Sequence, residues 1–142
     1  MKMLIVEDEF ASSAMLEFFL EPFGQVDIAV SGANAIDLLQ KSFSENDRYM
    51  LLCIDIGLPD INGQDLLEKL RKFESESGIS IQERSIVFMT TAQGDPKNVS
   101  KAFYNQCDEY ILKPVRKSEL IRLFIKYNFL TELANSIPSP EN

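Results

Sequence analysis

The sequence predicts an α/β fold, a five-stranded parallel sheet with helices on both faces. Three observations predict it. Short apolar runs alternate five times with longer runs of helical period between residues 2 and 133, and all but one of the connections are short. The run Met50–Ile54 is apolar apart from one Cys and reads as a buried strand. Helix-start signals fall between strand-like runs: Ser31 stands as an N-cap, and Asp95 precedes Pro96 at a first helical position.

Taken in order, "KMLIVE" at 2–7 is the first strand. A helix follows over 10–24, with Ala11, Ala14, Met15 and Phe18 at helical spacing, closed by Pro22 and Gly24. Residues 25–30, "QVDIAV", alternate and form the second strand. The helix over 31–46 places Ile36, Leu39 and Phe43 on one face. "YMLLCID" at 49–55 is the third strand, and the helix over 63–76 turns Leu66, Leu67 and Leu70 inward. The longest connection, "ESESGISIQERS", is polar and carries a Gly, which marks a surface loop. "SIVFMT" at 85–90, a helix over 95–106, "EYIL" at 109–112 and a helix over 116–133 complete the pattern.

At 142 residues, with 45% hydrophobic and 25% charged side chains, the chain is sized for one domain with one core. Its net charge of −8 and pI of about 4.6 disfavour direct nucleic-acid binding, since no basic stripe opposes phosphate. No apolar run reaches membrane length, and the N-terminus is too short for a signal peptide, so the expected location is cytoplasmic, without membrane insertion. Cys53 and Cys107 read as small hydrophobes. The chain contains no His, which removes His nucleophile activation and His metal ligands. Chemistry must come from carboxylates, hydroxyls, Lys and a hard cation.

Open parallel sheets collect their chemistry at the carboxyl ends of the strands. Glu7, Asp8 and Glu9 follow the first strand, Asp55 ends the third, Thr90 and Thr91 end the fourth, and Lys113–Pro114 follows the fifth. Clustered carboxylates repel unless a cation joins them. An all-oxygen set suits Mg²⁺, which takes phosphate as a further ligand. A Lys and a hydroxyl beside it suit a phosphoryl group, so the residues point to phosphoryl transfer at or near Asp55.

Four pieces carry a resemblance: "LIVEDE", "IDIGLPDING", "FMTTA" and "YILKP", in that order and spanning Leu4 to about Leu133. The sequence resembles the response-regulator receiver domains of two-component signalling, of the chemotaxis-type single-domain kind. The resemblance implies a flavodoxin-like doubly wound (β/α)5 fold with strand order 2-1-3-4-5. It implies a receiver domain over residues 1–134 with a flexible tail at 135–142.

It further implies that Asp55 is the phosphoacceptor and that Mg²⁺ is held by Asp8, Asp55 and the Gly57 carbonyl, with Glu7 acting through water. Thr91 is then the switch hydroxyl, Lys113 the phosphoryl partner before a cis proline, and Tyr110 the aromatic that reports phosphorylation. The implied donor is a histidine kinase or histidine phosphotransfer protein. The implied output is a protein contact on the face of the fourth helix, fifth strand and last helix, where Lys101, Tyr104, Arg116 and Lys117 are expected, or onward transfer in a phosphorelay. Dimerisation on phosphorylation stays open.

The sequence departs from the commoner pattern in its Glu7–Asp8 pair, in Gly57, and in Gln106 and Cys107 where small residues are usual. An alternative is a Mg²⁺-dependent phosphatase or phosphotransferase of another α/β family. The haloacid-dehalogenase-like enzymes need a second Asp two residues after the nucleophile, where Gly57 stands. A flavodoxin-like cofactor binder would need a Gly-rich loop after the first strand, and a scaffold that is never phosphorylated would normally lack the acceptor or the Lys.

Overall fold

The computed structural model describes residues 1–92 and 106–130. Its elements are β1 (Lys2–Val6), α1 (Phe10–Leu20), β2 (Gln25–Ala29), α2 (Gly32–Ser44), β3 (Leu51–Asp55), α3 (Gly63–Glu76), β4 (Ile86–Thr91), β5 (Glu109–Leu112) and α4 (Lys117–Lys126). The helix expected over 95–106, with Lys101 and Tyr104, and the tail at 135–142 lie outside the described residues.

The five strands form one parallel sheet in the order β2-β1-β3-β4-β5, as expected. Alternation along each strand sends side chains to two separate cores. Leu4, Leu52, Ile54, Val87 and Met89 meet Leu39 of α2 and Leu66, Leu67 and Leu70 of α3. Met3, Ile5, Leu51, Cys53 and Phe88 meet Leu16 and Leu20 of α1 and Leu120, Leu123 and Phe124 of α4. β1, β3 and β4 are therefore covered on both faces. Both cysteines are buried free thiols, and burial pushes Cys53 up to about 12.

One expected face is wrong. The face of α1 turned to the sheet carries Ser13, Leu16 and Leu20, while Phe10 is 84% and Phe18 69% exposed, with Met15 and Ala11 also outward. The helix is apolar on nearly every side, so spacing alone could not fix its rotation; packing of Leu16 and Leu20 into the core did. A smaller shift concerns β4, which begins at Ile86 rather than Ser85. The Ser85 side chain is buried, its N–H donating to Glu74 Oε2 at 2.6 Å and its hydroxyl to the Tyr49 carbonyl at 2.5 Å.

A buried polar cluster holds the amino end of the sheet. Arg71 of α3 donates from Nε and Nη2 to the Gln106 carbonyl (3.0 and 2.6 Å) and from Nη1 to the Ser85 carbonyl (2.9 Å) and Glu74 Oε1 (2.8 Å). Asp108 accepts the Val87 N–H at 2.8 Å. One guanidinium fork thereby ties α3, the long loop before β4 and the approach to β5 together.

Candidate phosphoacceptor site

β1 and β3 are neighbours, yet the chain leaves β1 for α1 on one face and β3 for α3 on the other. The crevice between their carboxyl ends is the topological switch point of the sheet, where such folds bind ligands. Glu7 and Asp8 leave β1 there, and Asp55 is the last residue of β3.

Glu7, Asp8 and Asp55 each bring a carboxylate oxygen to within 4.8 Å of the others. Glu7 is 2% exposed and Asp55 8%, whereas Asp8 faces solvent. Lys113 reaches in from the end of β5, its ammonium donating to Glu7 Oε1 at 2.6 Å and Asp55 Oδ2 at 3.1 Å. It precedes a cis peptide bond to Pro114. The Gly57 N–H donates to Asp55 Oδ1 at 3.0 Å. Thr90 lies opposite Asp55 in the β3–β4 register. Thr91, one residue nearer the carboxyl edge, is buried and accepts the Lys113 N–H on its carbonyl at 2.7 Å. Tyr110 pairs with Met89 in the β4–β5 ladder and packs, half-buried, against the α2–α3 core. Glu7, Asp8, Asp55, Gly57 and Lys113 are thus together, and Thr91 and Tyr110 lie on the neighbouring strands β4 and β5, two register positions apart.

The charges are unbalanced. Three carboxylates face one ammonium, and Glu7 Oε2 is buried without a hydrogen-bond partner among the described residues. Burial, then the Asp55 carboxylate, push Glu7 up to about 7 against the pull of Lys113. Burial pushes Asp55 upward too, but the neighbouring Glu7 carboxyl, the Gly57 N–H and Lys113 hold it below its ordinary value. Lys113 loses by burial and gains more from the two carboxylates, so it stays charged. The site therefore keeps an anionic Asp55 beside a Glu7 that binds a proton well above the usual carboxylate range. An unpartnered buried oxygen in a hard, all-oxygen donor set fits a divalent cation such as Mg²⁺.

This predicts a pH effect in metal-free buffer. Between about pH 4.5 and about pH 7 the folded chain retains a Glu7 proton that the unfolded chain has released. Stability should accordingly fall as pH rises through that window. Glu7→Gln, which can still accept from Lys113, should flatten this part of a plot of thermal midpoint against pH. An unchanged slope in the variant would mean that Glu7 does not carry the proton.

Sequence reasoning missed Asp60. Its two carboxylate oxygens accept the Gly32 and Ala33 N–H groups at 2.9 Å each, across 28 and 27 residues of chain. An Asp directly after a Pro in a loop was the available signal.

A doubly wound sheet with an acidic pocket at its switch point and a lysine entering from the last strand is the arrangement the chain presents at the carboxyl edge. Response regulator receiver domain is the family that matches, over residues 3–124, and the chain belongs to it. A probable transcriptional regulator, ycf29, of Porphyra purpurea is 34% identical over 85% of this chain and 53% of its own length. The hybrid signal transduction histidine kinase L of Dictyostelium discoideum is 29% identical over 89% of this chain but only 7% of its own length. The chain thus spans about half, or far less, of these curated relatives. A CheY-like receiver domain structure from Methanospirillum hungatei JF-1 superposes with a TM-score of 0.70 at 27% identity, covering 96% of this chain and 98% of that one. The receiver domain of Ssk1 from Saccharomyces cerevisiae, solved with the histidine phosphotransfer protein Ypd1, shares the fold with a TM-score of 0.75 at 24% identity, covering 92% and 90%.

Proposed function

We propose that the chain is a response-regulator receiver that accepts a phosphoryl group on Asp55 from a phosphohistidine of a histidine kinase or histidine phosphotransfer protein. The observation that carries this reading is Lys113 held between the buried Glu7 and Asp55 carboxylates, with one Glu7 oxygen unpartnered. An Asp55 oxygen attacks phosphorus, the P–N bond to the donor imidazole breaks, and the imidazole leaves with the bonding pair and takes up a proton. In this reading Lys113 pairs with the incoming phosphoryl oxygens, and the Thr91 hydroxyl hydrogen-bonds one of them. Asp8, Asp55, the Gly57 carbonyl and, through water, Glu7 would hold Mg²⁺, which supplies charge neutralisation for the transferred group.

The donor must cover the surface around Asp55. The outward face of α1 supports that role: Phe10, Met15 and Phe18 form an exposed apolar stripe. A groove of about 300 Å³ lined by Ser12, Met15, Leu16, Pro114 and Val115 runs from it to Lys113 itself. Along β5 and α4, exposed Leu112, Ile121 and Ile125 support an output contact, reached through Thr91 and Tyr110, or the group passes on to another protein's His.

Acetyl phosphate with Mg²⁺ should add one phosphoryl mass to the chain, and a chelator should abolish it. Equal labelling with the chelator present would remove the metal from the reading. Met15→Asp should slow transfer from a phosphohistidine protein by roughly tenfold, the scale of an interface hot spot, while leaving the acetyl phosphate rate unchanged. Equal slowing with both donors would place Met15 in the site rather than in docking.

A further inference from the structure

We propose that Asp60, resting on the reading of Asp55 as phosphoacceptor, is a positioning residue that latches the β3–α3 loop to α2 and so fixes Gly57 over the site. The helix does not need Asp60 for its own cap. Ser31 is the N-cap residue of α2, and its hydroxyl accepts the Asn34 N–H at 3.1 Å. Asp60 takes the two N–H groups that Ser31 leaves open, those of Gly32 and Ala33, from a different loop. The dipole of α2 favours a carboxylate there.

The contact is tight enough to dictate sequence. A Cβ on Gly32 would lie 1.6 Å from Ile61 Cγ2 and 3.2 Å from Asp60 Oδ1. At the far end of the loop, a Cβ on Gly63 would meet Ile56 Cα at 2.8 Å and the Asp55 carbonyl oxygen at 2.9 Å. The loop base is closed by Ile56 N–H to the Thr90 carbonyl (3.0 Å) and Gly63 N–H to the Ile56 carbonyl (3.2 Å).

Between these anchors stands Gly57, exposed and without a side chain to hold it in place. Its N–H must nevertheless stay 3.0 Å from Asp55 Oδ1. Ile56, bonded to Thr90, holds it on one side; on the other stand Leu58, buried in the α2–α3 core, and the Asp60 latch. Releasing the latch leaves only Leu58 on the far side, so the peptide after Gly57 samples positions away from Asp55 and from a bound cation. Asp60 touches neither the acceptor nor the transferred group in this scheme. It acts through the loop.

The test uses the full chain and reads Mg²⁺ dependence. In wild type and variants, acetyl phosphate labelling is followed against Mg²⁺, and Mg²⁺ alone is titrated while the Gly57 amide is followed by NMR. Asp60→Ala should raise the half-saturating Mg²⁺ in both measurements by about tenfold, the lower end for loss of a group that orients a ligand. The labelling rate at saturating Mg²⁺ should change much less. Asp60→Asn, which keeps one acceptor oxygen, should fall between. Ser31→Ala weakens the α2 cap without touching the loop and should leave both midpoints at the wild-type value. Wild-type midpoints in Asp60→Ala, or the same shift in Ser31→Ala, would overturn the proposal. Failure of wild type to be labelled would instead overturn the phosphoacceptor reading, and the Mg²⁺ titration would still judge the latch.

Discussion

Asp55→Asn should take up no phosphoryl group from acetyl phosphate under conditions in which wild type is labelled once. The amide keeps the shape of the side chain, and its one oxygen can still accept one of the two hydrogen bonds, from Gly57 and Lys113, that the Asp55 oxygens accept. It lacks the anionic oxygen that attacks phosphorus. The expected product is an acyl phosphate, so wild-type labelling should also be lost on alkaline treatment. Intact mass spectrometry reads both results. Labelling of Asp55→Asn at the wild-type level would move the acceptor elsewhere, and Asp8, the exposed carboxylate of the cluster, would be the next residue to replace. The variant should fold, because one buried negative charge disappears from a site that carries an excess of them.

Arg71→Ala should be the most destabilising single change outside the hydrophobic core. Glu74 is 3% exposed, and it would lose its closest cation. Arg48, at 3.9 Å from the other carboxylate oxygen, is a weaker substitute. The Gln106 and Ser85 carbonyls would lose their guanidinium donors as well. Removing one partner of a buried pair costs about 3 kcal/mol or more. In a domain of this size that lowers the thermal midpoint by roughly 10 °C. Adding Glu74→Gln should recover part of the loss, since its amide oxygen still accepts the Ser85 N–H and no charge is left stranded. A midpoint within a degree or two of wild type in Arg71→Ala would show that water replaces the fork at little cost.

The parts of this molecule that were legible in the sequence share one property: their meaning is local. The run ending in Asp55 and the Lys113–Pro114 pair each sit at the end of a strand that the apolar pattern announces. The parallel sheet follows from alternation, and the resemblance then supplied its strand order. What was not legible depends on partners far along the chain. Asp60 finds its two N–H groups 28 and 27 residues away, and Arg71 finds Gln106 at 35. Glu74 did leave a trace, because it continues the buried stripe of Leu66, Leu67 and Leu70 as a charged residue. The rotation of α1 was unreadable for a different reason. With Phe10, Met15 and Phe18 on one side and Leu16 and Leu20 on the other, the residue pattern offers two faces, and only the sheet chooses between them.

Coverage of β3 on both faces also governs how fast its backbone exchanges with solvent. All five of its residues are buried, with β1 and β4 bonded on either side, so its amides should open only when the whole domain unfolds. The loop beyond Ile56, exposed at Gly57 and Asp60, lies outside the ladder and should exchange orders of magnitude sooner. Asp55 therefore marks a boundary between the slowest and some of the fastest protons in the chain. The Asp55 carboxylate is thus anchored to backbone that opens only with the whole domain, whereas the loop beyond Ile56 can open by itself.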